Sequence, residues 1–143
     1  MIKAIRIFLH TLFLLMLILF SWLAGPFPHS AWAESCAEMA VRAKQECWGE
    51  NQRIERLLRD LSALARTYAG GSAQETRART VGEELIRVQY DFDKLRQGYE
   101  LMLSSSGYCH GKRSIAQSMH QDLLDRLQKA EEEVGRLQEE AGQ

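Results

Sequence analysis

Residues 78–102, ARTVGEELIRVQYDFDKLRQGYELM, decide the fold class of this chain. Apolar side chains recur there at alternating steps of three and four: Ala78, Val81, Leu85, Val88, Phe92, Leu95, Tyr99 and Met102. This spacing places them on one face of an α-helix, whereas a half-buried strand would alternate every second residue. The stretch therefore predicts a long helix that packs through a seam like that of a coiled coil.

Two further runs with the same spacing flank this one. The first is Cys36, Ala40, Ala43, Cys47, Ile54, Leu57, Leu61, Leu64 and Tyr68, and the last is Ala116, His120, Leu123, Leu127, Ala130, Val134, Leu137 and Ala141. Helices of similar length can lie side by side, so we predict an all-α, up-down-up three-helix bundle. The alternative is a long helical hairpin completed by dimerisation, because the last run is thin in apolar residues toward its end.

Helix ends are marked by three capping boxes, in which a serine and a residue three positions later satisfy backbone groups of the first turn. These are Ser35 with Glu38, Ser72 with Glu75, and Ser114 with Gln117. Gly70 and Gly71 are typical of a helix end, as is the run from Ser104 to Gly107. The sequence predicts helices over 36–69, 73–104 and 115–142, with a loop from Ser104 to Arg113. Whether the first helix is continuous through Gly49 stays open.

The N-terminal segment has the pattern of a secretory signal peptide. Lys3 and Arg6 precede a mostly apolar stretch over 7–24, and Pro26 and the small-residue box Ala-Trp-Ala at 31–33 follow it. We therefore predict that residues 1–33 are a signal peptide and that residues 34–143 form a helical domain in the periplasm or outside the cell. The alternative is an uncleaved segment that anchors the protein in the inner membrane.

Composition and charge narrow the function classes. The chain has 143 residues, of which 45% are apolar and 26% charged, so it is neither collagen-like nor wholly disordered. Its formal net charge is −1. Removal of Lys3 and Arg6 with residues 1–33 leaves 16 basic against 19 acidic side chains, a net charge of −3. This balance argues against binding to nucleic acid, which depends on a basic surface.

The three cysteines predict one disulfide and one remaining thiol. Cys36 and Cys47 lie about 16 Å apart along a continuous helix, too far for a bond between them, so Cys109 is the common partner. A fold about Gly71 places residue i opposite residue 142−i, which sets Cys36 level with Ser106, beside the second loop. Cys36–Cys109 is therefore the first choice and Cys47–Cys109 the alternative, and a chain without an intrachain bond also stays open.

Two sets of residues are candidates for binding. Trp48 and Tyr108 are aromatic residues near the cysteines and are candidate anchors for a partner protein. A weaker set, with soft sulfur and imidazole ligands suited to copper(I), gathers near the same end of the bundle: Met39, Met102, His110, Met119 and His120. The spacing of these five residues matches no recognised metal motif, so no metal and no other cofactor is predicted.

No pattern of catalytic residues is apparent, and we do not expect an enzyme or a small-molecule substrate. The sequence predicts a noncatalytic exported protein that acts through protein–protein contacts in the cell envelope, as an adaptor, accessory subunit, inhibitor or chaperone-like binder. Alternatives are a periplasmic protein that binds a soft metal and a coiled-coil homo-oligomer with a structural role. Contact with a membrane is expected only through an uncleaved N-terminal segment.

Overall fold

The computed structural model describes residues 34–142, and the predicted signal peptide lies outside them. Three helices make up this part of the chain: α1 spans Cys36–Ala65, α2 spans Ala73–Ser104 and α3 spans Ser106–Ala141. The fold is all-helical, without strands in the described range, and the helices pack together as the predicted three-helix bundle. No helix within this range has both the length and the apolar composition needed to cross a bilayer.

Side-chain bonds between helices establish an up-down-up arrangement. The Lys44 ammonium lies 2.8 Å from Glu100, and the Asn51 amide donates to Asp93 at 2.8 Å, so α1 and α2 are antiparallel with residue i near residue 144−i. The predicted register of 142−i was within two residues of this.

The third helix returns alongside the first. Arg126 on α3 bridges to Glu84 at 2.8 Å and to Asp91 at 3.0 Å on α2. Arg77 near the start of α2 pairs with Glu133 near the end of α3, so α2 and α3 are antiparallel. On the other side, Arg53 on α1 pairs with Glu131 on α3, so these two helices run parallel.

The buried core follows the seams read from the sequence. All but four of the 25 seam residues are buried; Leu64, Tyr68 and Val81 are half-buried and Ala141 is exposed. Phe92 and Tyr99 on α2 are the largest of the fully buried side chains. Because α2 packs against both α1 and α3, its apolar stripe decides the fold.

The first helix is continuous but shorter than predicted. It passes through Gly49 without a break, so the sequence does not form a separate N-terminal helix there. It ends at Ala65 rather than at residue 69, because Thr67 donates both its amide and its hydroxyl to the Leu64 carbonyl at 2.9 and 2.7 Å. The chain then turns through Gly71, whose φ of 76° favours glycine.

The predicted loop from Ser104 to Arg113, and the helix start at 115, are wrong. Only Ser105 separates α2 from α3; it is extended, and its hydroxyl accepts from the Tyr108 amide at 3.4 Å. Ser114 therefore lies inside α3 and caps nothing. Ser35 and Ser72 do begin helices, since each hydroxyl accepts an amide bond of 3.1 Å. The reciprocal bond of the capping box forms at Ser35, whereas the Glu75 carboxylate accepts from the Gly71 amide and not from that of Ser72.

Candidate functional site

A disulfide closes the end of the bundle where α3 begins. It joins Cys36, the first residue of α1, to Cys109 in the first turns of α3, with their Cα atoms 6.0 Å apart. This confirms the predicted first choice and excludes the Cys47–Cys109 alternative. Cys47 is a buried free thiol on the α1 seam, and burial raises its pKa to about 12. A protein disulfide indicates a compartment that is not reducing.

Exposed large apolar side chains are concentrated in the half of the bundle that this disulfide closes. The described residues include nine large apolar side chains that are exposed: Val41, Trp48, Ile86, Tyr90, Leu101, Leu103, Tyr108, Ile115 and Met119. Eight of them lie within 15 positions of Cys36 or Ser105, about 23 Å along the helices, and Ile86 lies just beyond. We call this half, which comprises residues 36–51, 90–104 and 106–119, the disulfide half.

The opposite half of the bundle has a different surface. Between residues 52 and 85, and from residue 120 to residue 142, no large apolar side chain is exposed. Its helices are joined at the surface by ion pairs, such as Arg77 to Glu133 at 2.5 Å and to Glu140 at 2.9 Å. The two halves therefore differ in their exposed large apolar side chains and not in the presence of ion pairs, since the disulfide half also has pairs such as Lys44 to Glu100.

A groove between α2 and α3 concentrates this apolar surface. Tyr108, Ile115 and Met119 lie along its α3 side and are 43%, 55% and 51% exposed. Gly98 lies on its α2 side, and a Cβ at Gly98 would meet no atom within 4 Å, so the groove is open above it. The hollow has a volume of about 170 Å³. Because residue 98 is a glycine, no side chain of α2 projects into the groove at that position.

Two lysines border the groove. Lys94 lies on α2, with its ammonium 4.5 Å from the centre of the Tyr90 ring, and Lys112 lies on α3. None of the described residues that line the groove is acidic. Lys94 and Met119 also border a second hollow, of about 450 Å³, which extends along the same two helices to Arg126 and is also lined by Asp91 and Asp122. The apolar groove thus has a positively charged margin, whereas its continuation toward the middle of the bundle has charges of both signs.

The two aromatic candidates lie on different faces. Tyr108 is in the first turn of α3, not in a loop, and lines the groove. Trp48 is 60% exposed on α1 and does not line the groove. It lies between Lys44 and Asn51, which both bond to α2, so it belongs to the α1–α2 side of the bundle. The structure does not bring the two aromatic residues into one site.

The five Met and His residues considered for metal binding are also divided. Met102 and Met119 border the α2–α3 groove, whereas Met39 and His120 border a different hollow between α1 and α3. His110 is exposed at the start of α3. In the described part of the chain, no three His, Cys, Asp or Glu side chains are grouped so that they could hold a metal ion.

His120 is instead part of a buried polar contact in the core. Its Nδ1 lies 3.3 Å from the Tyr99 hydroxyl, which donates to the Ala116 carbonyl at 3.2 Å. Phe92 packs edge-on against the imidazole, with ring centres 5.9 Å apart. Burial lowers the pKa of His120, which favours the neutral imidazole. This side chain therefore has a structural role in positioning α2 against α3.

Sequence reasoning missed most of the groove. It identified Met102, Tyr108 and Met119 but not Ile115, Gly98 or the two lysines. The available signal was the position of Ile115 and Met119, each one residue before a seam residue of α3 and four residues apart. Such a pair makes a second apolar stripe beside the seam, which the helical core does not need. Comparisons of the chain with protein-family models, with curated proteins and with solved structures found no match.

Proposed function

We propose that this protein is a noncatalytic, exported binding module that engages a partner protein of the cell envelope through the apolar surface of its disulfide half. The observation that carries the proposal is the concentration of the exposed large apolar side chains in that half, which has eight of the nine found among the described residues. Contiguous apolar patches on monomeric soluble proteins commonly mark interaction sites, and the α2–α3 groove beside Tyr108, Ile115 and Met119 is such a patch. The presence of Tyr108 and Trp48 in this surface agrees with the preference of interface hot spots for aromatic residues.

The proposed location has two independent supports. The Cys36–Cys109 bond requires a compartment that does not reduce it. Residues 1–33 have the charged, apolar and small-residue regions of a signal peptide in the expected order. Export through that segment would deliver the chain to a compartment where the bond forms.

Photo-crosslinking in living cells tests this function. A benzoylphenylalanine replaces Tyr108 or Trp48 in the disulfide half, and Ala63, which is exposed on α1 in the opposite half, is the matched control. We expect one envelope protein, identified by mass spectrometry, to be linked from Tyr108 or Trp48 and not from Ala63. Equal linking from all three positions, or none from any, would contradict the proposal. Intact mass of the product, expected to begin at Glu34, tests export separately.

A further inference from the structure

The α2–α3 groove corresponds to the position of a fourth helix. In the described bundle, α1 packs on one side of the α2–α3 pair and is linked to both, through Lys44 to Glu100 on α2 and through Arg53 to Glu131 on α3. The groove is on the side that α1 leaves uncovered, since only residues of α2 and α3 line it. Two antiparallel helices offer one such groove on each side, so a further helix can pack against α2 and α3 on the side opposite α1.

The dimensions of the groove suit a helix of several turns. From Tyr108 to Met119 it extends about 16 Å along α3, and the adjoining hollow extends it to Arg126, about 27 Å in all. This length corresponds to roughly three to five helical turns, or 11 to 18 residues. A helix bound there would contact the groove through its own side chains at every third or fourth position.

The two lysines at the margin of the groove indicate which charges a bound helix should have beside its apolar stripe. Neither Lys94 nor Lys112 forms an ion pair with a carboxylate of the described residues, and none of the residues that line the groove is acidic. A partner helix that buries its apolar stripe in the groove lies beside the ammonium groups of Lys94 and Lys112. Binding is therefore favoured when that helix has carboxylates at the edges of its apolar stripe. A symmetric second copy is disfavoured, because a two-fold interface brings the same surface patch of both copies together, and the lining of this groove has two lysines and no carboxylate.

We propose that the α2–α3 groove binds an amphipathic α-helix of a partner protein, with carboxylates on both margins of its apolar stripe. The proposal rests on the proposed function and names the chemistry of the partner at that surface. The helix completes a four-helix bundle, with its apolar stripe over Gly98, Ile115 and Met119 and its carboxylates beside Lys94 and Lys112.

Two stapled helical peptides and a pair of glycine variants test this occupant. One 18-residue peptide has leucines at every third or fourth position with flanking glutamates, and the other has lysines in place of those glutamates. Gly98 and Gly82 are both α2 glycines where a Cβ meets no atom within 4 Å, but only Gly98 lines the groove. Gly98→Met therefore fills the groove, and Gly82→Met is a control with the same gain in helix propensity.

Binding of the labelled peptides to the oxidised protein is measured by fluorescence anisotropy. We expect the glutamate peptide to bind at least about tenfold more tightly than the lysine peptide, and Gly98→Met to weaken it by at least about tenfold. Gly82→Met should leave its affinity unchanged. Lys112→Glu should lower affinity for the glutamate peptide and raise it for the lysine peptide.

Several outcomes would overturn the proposed occupant. These are no binding of the glutamate peptide up to about 1 mM, equal affinity for both peptides, or equal effects of the two glycine variants. Self-association in sedimentation equilibrium would also overturn it if Gly98→Met abolished the self-association and Gly82→Met did not. Binding to phosphatidylglycerol vesicles would overturn it under the same condition. Crosslinks from Tyr108 or Trp48 in cells would still support the proposed function in each of these cases, so the two failures can be told apart.

Discussion

Removal of the Cys36–Cys109 bond should destabilise the bundle strongly. The bond closes a segment of 73 residues, and the loss of chain entropy in the denatured state for a loop of that length corresponds to about 4 kcal/mol. A domain of this size is stable by about 5–15 kcal/mol in total. Alanine is the suitable replacement at both positions because both side chains are buried, and a serine would bury a hydroxyl.

Urea denaturation followed by helical circular dichroism measures the effect. The protein, the Cys36→Ala/Cys109→Ala double variant and the control Cys47→Ala, which removes a buried thiol but no bond, are compared. We expect the double variant to lose about 4 kcal/mol and to show a steeper dependence on urea, because its denatured chain is less compact. A loss below about 1 kcal/mol, or a loss no larger than that of Cys47→Ala, would refute the loop-closure reasoning.

Three further outcomes follow from individual side chains. Burial lowers the pKa of His120, so below about pH 6.5 the unfolded chain binds a proton that the folded chain does not. Stability should be full above that pH and fall as pH decreases toward the lowered pKa, and His120→Leu should flatten this part of a urea-midpoint profile; an unchanged profile would contradict the assignment. Tyr68→Phe removes the 2.6 Å bond to the Leu137 carbonyl and should cost about 1 kcal/mol in urea denaturation, whereas no loss would show that the bond is not stabilising. The buried thiol of Cys47, with a pKa of about 12, should react with iodoacetamide at pH 8 only as the protein unfolds, and fast alkylation detected by intact mass would contradict its burial.

The sequence was sufficient for the features that depend on periodicity and register. The spacing of apolar residues fixes which face of each helix is buried, and a hairpin about Gly71 fixes which residues of α1 and α2 are level. That register brought Cys36 beside Ser106, and the structure places its partner Cys109 three residues further on. An error of two residues in register changes the level of a side chain by only about 3 Å, which is why the cysteine pairing survived it.

The connection between α2 and α3 was not predictable from local signals alone. Ser105 and Ser114 are both plausible caps, and Gly107 and Gly111 each cost about 1 kcal/mol in a helix interior, so local propensity favours a loop. The structure forms helix there instead, and the disulfide at Cys109 lies between the two glycines. Tertiary contacts at that end therefore override the local preference, and they also place Tyr108 on a helix surface.

The disulfide attaches the part of α1 that contributes mainly small side chains to the core. In its first half α1 buries mainly small side chains, among them Ala40, Ala43 and Cys47, whereas its second half buries Ile54 and two leucines. Each methylene missing from the core forgoes about 0.8 kcal/mol of hydrophobic stabilisation, so the first half of α1 gains less per buried residue than its second half, although Phe92 and Tyr99 of α2 are buried beside it. The same half of the bundle exposes the apolar side chains that the proposed partner would cover. The covalent bond therefore adds stability where α1 contributes the smaller side chains, and it ties α1 to the start of α3, the helix that carries Tyr108, Ile115 and Met119 of the proposed binding surface.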